Sequence, residues 1–161
     1  MADGAKIRFA LDSSLGKLAK WLRILGFDSV YVPGNSRESF LFYVTEDRIL
    51  LTRSRKIQNR NPGRQLLFIR FNDPRDQLHQ VISDLKPEFT SIKPFSRCIR
   101  CNVSLHEIPK EQIQSSVPDY VYHSRDKFRK CFSCGRIYWP GTHVNTSMNT
   151  IREIFASCEI P

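Results

Sequence analysis

A chain of 161 residues with a formal net charge of +9 and a pI near 9.6 favours an acidic partner, and nucleic acid is the commonest one for a basic domain. Hydrophobic residues at 40% and aromatics at 11% suffice for a packed core, in one domain or in one domain with a small appendage. No apolar run could span a bilayer and the opening MADGAKIRF lacks the apolar core of a signal peptide, so the expectation is a cytoplasmic protein whose five cysteines are thiols or metal ligands rather than disulfides.

The first predicted element is a short strand ending at Leu11, followed by Asp12 and two serines. From Leu15 the apolar period lengthens, and Leu15, Leu18, Ala19, Leu22 and Leu25 recur at helical spacing. Ser13 or Ser14 is the expected N-cap and Gly26 the expected stop. Asp12 therefore ends a strand, where open α/β sheets place their binding crevice. Lys17, Lys20 and Arg23 follow at steps of three; they read either as the helix's wet face or as cations for a polyanion. A second strand, Phe27 to Val32, runs to the turn signal Pro33-Gly34. That completes a strand–helix–strand unit, which normally means a parallel pair.

A helix is next expected over about Arg37 to Thr45, with Glu38 in its first turn and Phe40, Leu41 and Val44 apolar. A strand at Arg48 to Thr52 leads into Arg53-Ser54-Arg55-Lys56. Another, Gln65 to Phe71, ends in Asn72-Asp73-Pro74, and a helix follows from Arg75 to Leu85. Alternating strands and helices argue an α/β fold with a parallel sheet flanked by helices. Asp12, Ser54 and Asp73 each follow a strand, and parallel strands would gather them, with Glu38, at one edge of the sheet. Carboxylates there suit a hard divalent cation. From Arg48 to Arg64 the chain carries Arg48, Arg53, Arg55, Lys56, Arg60 and Arg64 and no acid, a run that suits phosphate as well as a solvated face.

Near Lys93 the character changes, which suggests a division into residues 1–93 and 94–161. Few helical periods appear beyond it until Met148 to Phe155. Cys98-Ile-Arg-Cys101 and Cys131-Phe-Ser-Cys134 are two C-x-x-C knuckles, and four thiolates suit tetrahedral zinc in a closed, structural site. Asn102 and Gly135 suit the tight turns after them, and an insert of about Ser104 to Lys127 separates the pairs. Cys158 stands alone as a packed or free thiol. His79, His106, His123 and His143 share no ligand-like spacing and read as surface or structural residues.

A strand and Asp12 followed by LGKLAKWLRILGFD, then RILLTRSRK, RCIRCN with Leu105, and KCFSCGRIYWPGTH together resemble the Mut-seven C-terminal RNase family, a PIN-like nuclease domain carrying a C-terminal zinc ribbon. The resemblance runs from about Ile7 to about Met148. It implies a PIN-like fold, nuclease activity on single-stranded RNA with Mg²⁺ or Mn²⁺, and Cys98, Cys101, Cys131 and Cys134 as zinc ligands. Asp12 matches the family's first acid, and Glu38 and Asp73 match later ones loosely. The departure is Ser54: the family typically has LLTRDR, whereas this chain reads Leu51-Thr52-Arg53-Ser54-Arg55, one anionic ligand fewer.

The leading expectation is a metal-dependent ribonuclease with Asp12, Glu38, Asp73 and Ser54 at its centre and Lys17, Lys20, Arg53, Arg55 and Lys56 on a single-stranded or tRNA-like RNA. The alternatives are a decayed RNA-binding module, with Tyr138 and Trp139 either stacking on bases or packing the ribbon, and a toxin-like PIN protein held by a protein partner through residues such as Phe40, Phe42 and Tyr43.

Overall fold

The computed structural model describes residues 7–34, 40, 42–43, 47–61, 65–86 and 92–159. Four short strands, β1 (Arg8–Leu11), β2 (Asp28–Tyr31), β3 (Ile49–Thr52) and β4 (Leu66–Phe68), form an all-parallel sheet in the order β2-β1-β3-β4. Side chains alternate across a strand. That sends Phe9, Leu11, Ile49, Leu51 and Leu67 to one layer and Ala10, Val30, Leu50 and Leu66 to the other. Both faces are covered, as parallel sheets require, which is why these strands read as apolar runs.

The larger layer packs under α1 (Gly16–Ile24) and α3 (Pro74–Leu85). Gly26 ends the α1 turn at φ +92°, and a Cβ there would lie 2.4 Å from the Lys93 carbonyl oxygen, so both backbone and space require glycine. The expected serine cap on α1 is absent. Leu15 occupies the N-cap position without a side-chain bond, and Ser14, one residue earlier, donates both its amide and its hydroxyl to the Asp12 carboxylate.

β4 is shorter than the expected Gln65–Phe71 strand. Beyond Ile69 the chain leaves the sheet, and two buried glutamines of α3 take over its backbone groups. Gln80 accepts from the Arg70 amide at 3.0 Å and donates to the Phe68 carbonyl at 2.8 Å, while Gln77 donates to Phe71 and Asn72 carbonyls. The helix expected over Arg37 to Thr45 lies outside the described residues except Phe40, Phe42 and Tyr43; Phe40 is helical and buried.

The rest of the chain forms a three-stranded antiparallel sheet of β5 (His106–Glu107), β6 (Arg129–Lys130) and β7 (Ile137–Tyr138), with α2 (Arg55–Asn59) belonging to the first sheet's edge and α4 (Asp119–Ser124) to the insert between β5 and β6. Ile113, Val117, Val121 and Phe128 give that part its own small core. The last helix, α5 (Thr142–Glu159), begins six residues before the expected Met148. It returns to pack on α3, and Ile151, Ile154 and Phe155 join the larger layer of the first sheet. No helix among the described residues is long and apolar enough to cross a membrane.

Candidate active site and metal centre

Asp12 directly follows β1, and its amide donates to the Leu51 carbonyl of β3 at 3.1 Å. Both carboxylate oxygens are held. Oδ1 accepts from the Ser14 amide at 2.9 Å and the Ser14 hydroxyl at 2.5 Å. Oδ2 accepts from the Thr52 hydroxyl at 2.5 Å and the Arg53 amide at 3.0 Å. Thr52 is fully buried and Ser14 exposed, so Oδ1 is the oxygen on the solvent side. A carboxylate offers about four acceptor sites, and these four donors occupy them. A hard cation would reach Oδ1 by replacing the Ser14 hydroxyl, or sit one water away, as Mg²⁺ commonly does. The residues fit a single anionic ligand of that kind.

Ser54 is joined to the same network, because its amide donates to the Thr52 hydroxyl oxygen at 3.0 Å. Its own hydroxyl caps α2 by accepting from the Ile57 amide at 3.3 Å. Asp73 caps α3 by accepting from the Arg75 amide at 2.8 Å, with Pro74 in the first turn. Arg53 bridges the two strand ends, its guanidinium donating to the Asn72 side chain beside Asp73. Among the described residues, Asp12 and Asp73 belong to no cluster of three or more metal-ligating groups. Glu38 lies outside the described residues.

Of the basic residues, Lys17, Lys20, Arg55 and Lys56 are exposed and Arg53 half-buried. The Arg55 guanidinium lies over the Phe68 ring, 3.9 Å from its centroid, a cation–π contact that leaves its other face to solvent. Arg23 and Arg48, from the same two basic stretches, are not surface cations. Arg23 is 9% exposed and donates to the Ser29, Ile99 and Arg100 carbonyls. Arg48 is buried, pairs with both oxygens of Asp28 at 2.8 and 3.1 Å, and donates to the Phe9 carbonyl.

The sulfurs of Cys98, Cys101, Cys131 and Cys134 all lie within 4.8 Å of one another, with Cys98 Sγ and Cys134 Sγ 3.8 Å apart. Four sulfurs at about 2.3 Å from one zinc ion in a tetrahedron stand about 3.8 Å apart, so the group could hold a metal ion such as zinc. The two knuckles repeat one geometry. The Asn102 and Gly135 amides donate to the Cys98 and Cys131 carbonyls at 2.9 and 2.8 Å, and the Cys98 and Cys131 amides donate to the Val103 and Arg136 carbonyls at 2.9 Å each. Asn102 and Gly135 both take positive φ, +64° and +75°, the left-handed turn that asparagine and glycine tolerate best. Burial opposes ionisation of Cys98, yet bonds from the Tyr138 hydroxyl, the Cys101 and Arg100 amides and the Cys131 thiol outweigh it and hold the thiol below its usual value, while burial and the neighbouring thiols push Cys101 up. A thiolate is the metal-binding form.

The first knuckle is fastened to the parallel sheet by residues that strand and helix patterns do not reveal. The Asn102 side chain accepts from the Ser29 amide at 2.9 Å and donates to Asp28 at 2.7 Å. Asp28 holds Arg48, and Arg23 caps the knuckle's carbonyls from below. Burial alone would raise the Asp28 carboxyl, but the hydrogen bonds from Arg48 and Asn102 and the charges of Arg48 and Arg97 hold it below its usual value. The one sequence signal was an acid at the start of a strand of a packed sheet, where a half-buried carboxylate needs a partner.

A family model described as the Mut7-C RNAse domain matches residues 7–151. No match was found among curated proteins or among solved structures. The matched region runs from the first strand, through Asp12 and both cysteine knuckles, into α5. The chain belongs to the Mut7-C RNase domain family, whose name implies a nuclease-like function with RNA as substrate or partner.

Proposed function

We propose that the protein is a divalent-metal-dependent ribonuclease acting on single-stranded RNA, with Asp12 as its principal anionic ligand and zinc in the four-cysteine site. What carries this reading is the Asp12 carboxylate, fixed at both oxygens across the ends of β1 and β3, with exposed Lys17, Lys20, Arg55 and Lys56 on the adjoining helices. When bound, Mg²⁺ or Mn²⁺ polarises a phosphate oxygen and acidifies a water at neutral pH. Thr52 and the Arg53 amide orient Asp12; the lysines and Arg55 hold the RNA backbone; Glu38 and Asp73 are the further acids of this proposal. Zinc, closed in by four sulfurs, has no open position and serves structure alone.

The test is cleavage of labelled single-stranded RNA in Mn²⁺ by Asp12→Asn, with the thermal midpoint as a check on folding. A loss of about a hundred-fold is expected; a parent-like rate in the folded variant overturns the assignment. The neutral cap at Ser54 favours a second reading, an RNA-binding module that has lost turnover. RNA binding without Mn²⁺-dependent cleavage in the parent protein would support it.

A further inference from the structure

We propose that a groove on the ribbon side of the molecule is a second RNA-contacting site, which holds the segment of strand leading to or from Asp12. The groove has a volume of about 1000 Å³ and lies between the insert, β7, the start of α5 and the end of α1. Its walls carry aromatic rings interleaved with cations. Tyr120 is 75% exposed, Phe95 and Trp139 are half-buried, and Arg125, Lys127 and Arg129 stand among them. Rings beside cations suit unpaired nucleotides, because bases stack on the rings while phosphates meet the charges.

Charge decides between an RNA and a neutral apolar occupant. The groove's acids are Glu107 and Asp126, and Asp126 faces Lys110 at 3.5 Å. Arg125 and Lys127 remain exposed on a chain of net charge +9. Phe95 adds a conformational argument. It sits at φ +58°, a region that bulky residues seldom enter. It is pinned there by its own amide donating to the Ile24 carbonyl at 2.8 Å and by Arg129 donating to its carbonyl at 2.9 Å. The backbone that carries the ring is thereby fixed before a strand arrives, which lowers the cost of ordering it on binding.

The groove is connected to Asp12 by α1. Ile24 lines the groove, and Lys20 and Lys17 stand four and seven residues before it, on the same helical face. This nine-residue helix separates the groove from the Asp12 end by about 13 Å. The lysines form a cationic path between the two. RNA binding in the groove is independent of Asp12; its role as a distal grip rests on the reading of Asp12 as the reaction centre.

The experiment uses the full zinc-loaded chain without added Mg²⁺ or Mn²⁺, and a fluorescent unstructured RNA of about twelve nucleotides, read by anisotropy. Tyr120→Ala is expected to weaken binding about ten-fold, and the double change Arg125→Glu with Lys127→Glu at least as much. Ultraviolet crosslinks should map to Tyr120, Phe95 or Trp139. Parent-like affinity in both groove variants, or crosslinks confined to the Asp12 end, overturns the proposal and leaves the groove to a peptide. Failure of Asp12→Asn to lose cleavage would remove Asp12 and leave these binding results standing, so the two readings fail separately.

Discussion

Ser54 does at the start of α2 what an aspartate would also do there: it accepts from the Ile57 amide. Serine and aspartate are about equal as N-caps, and negative charge at a helix start is favourable. Ser54→Asp should therefore leave stability within about 0.5 kcal/mol of the parent while adding a carboxylate one bond from the Thr52–Asp12 network. Cleavage in Mn²⁺ is expected to rise about ten-fold; a flat rate with an unchanged melting point would show that this position is no ligand. Asp28 poses the opposite problem, a carboxylate engaged in structure alone. Its folded pKa is depressed, so its contribution is full above the unfolded value of about 3.9 and is lost as pH falls towards the folded one. Denaturant melts from neutral pH down to the acid limb should show that loss in the parent and a flatter limb in Asp28→Asn. Arg48→Ala strands Asp28 without its ion pair and is expected to cost about 3 kcal/mol at neutral pH, whereas an unchanged denaturation midpoint would mean water replaces the guanidinium.

The cysteine knuckles were the clearest element in the sequence because four thiols at fixed spacing have few other uses. Less legible was what the first knuckle leans on. Arg23 sits in the same three-residue rhythm as Lys17 and Lys20, and periodicity cannot distinguish a surface cation from one that caps carbonyls 76 and 77 residues away. The strand–helix–strand order of the first half was readable for the reason given by its packing, two buried faces and few polar interruptions. α5 was underestimated because its first half is rich in threonine and asparagine. Even so, Val144, Met148, Ile151, Phe155 and Cys158 keep steps of four and three and mark the buried side. The Asn102 contact makes a prediction about metal. Stripping the ion should loosen the knuckle and release the Ser29 amide, which Asn102 accepts at 2.9 Å. Hydrogen exchange at Ser29 should then accelerate on chelation and in zinc-loaded Asn102→Ala alike. Protection that survives chelation would mean that the knuckle holds its shape without metal.

At the scale of the whole molecule the chain closes on itself: α5, beyond the second knuckle, supplies Ile151, Ile154 and Phe155 to the layer begun by Phe9 and Leu11. The ribbon is therefore bracketed by two segments of one core, and Phe155→Ala should cost about 3 kcal/mol in a single unfolding transition that takes the sheet with it. The same closure sets the exposed cations on one continuous body, which makes their effect on RNA additive and measurable. Each phosphate neutralised on a single strand contributes about 0.7 to the slope of log affinity against log salt. Lys17, Lys20, Arg55 and Lys56 together then account for a slope of about −3. Replacing Lys17 and Lys20 by alanine should flatten it by about 1.4 and weaken binding similarly for every sequence, because phosphate contacts position a strand without reading it. Arg23 and Arg48, despite lying in the same basic stretches, are fully engaged by carbonyls and Asp28, and they add nothing to that slope. A double alanine variant whose slope matches the parent would mean that α1 does not lie along the RNA, and the path from groove to Asp12 would have to run elsewhere.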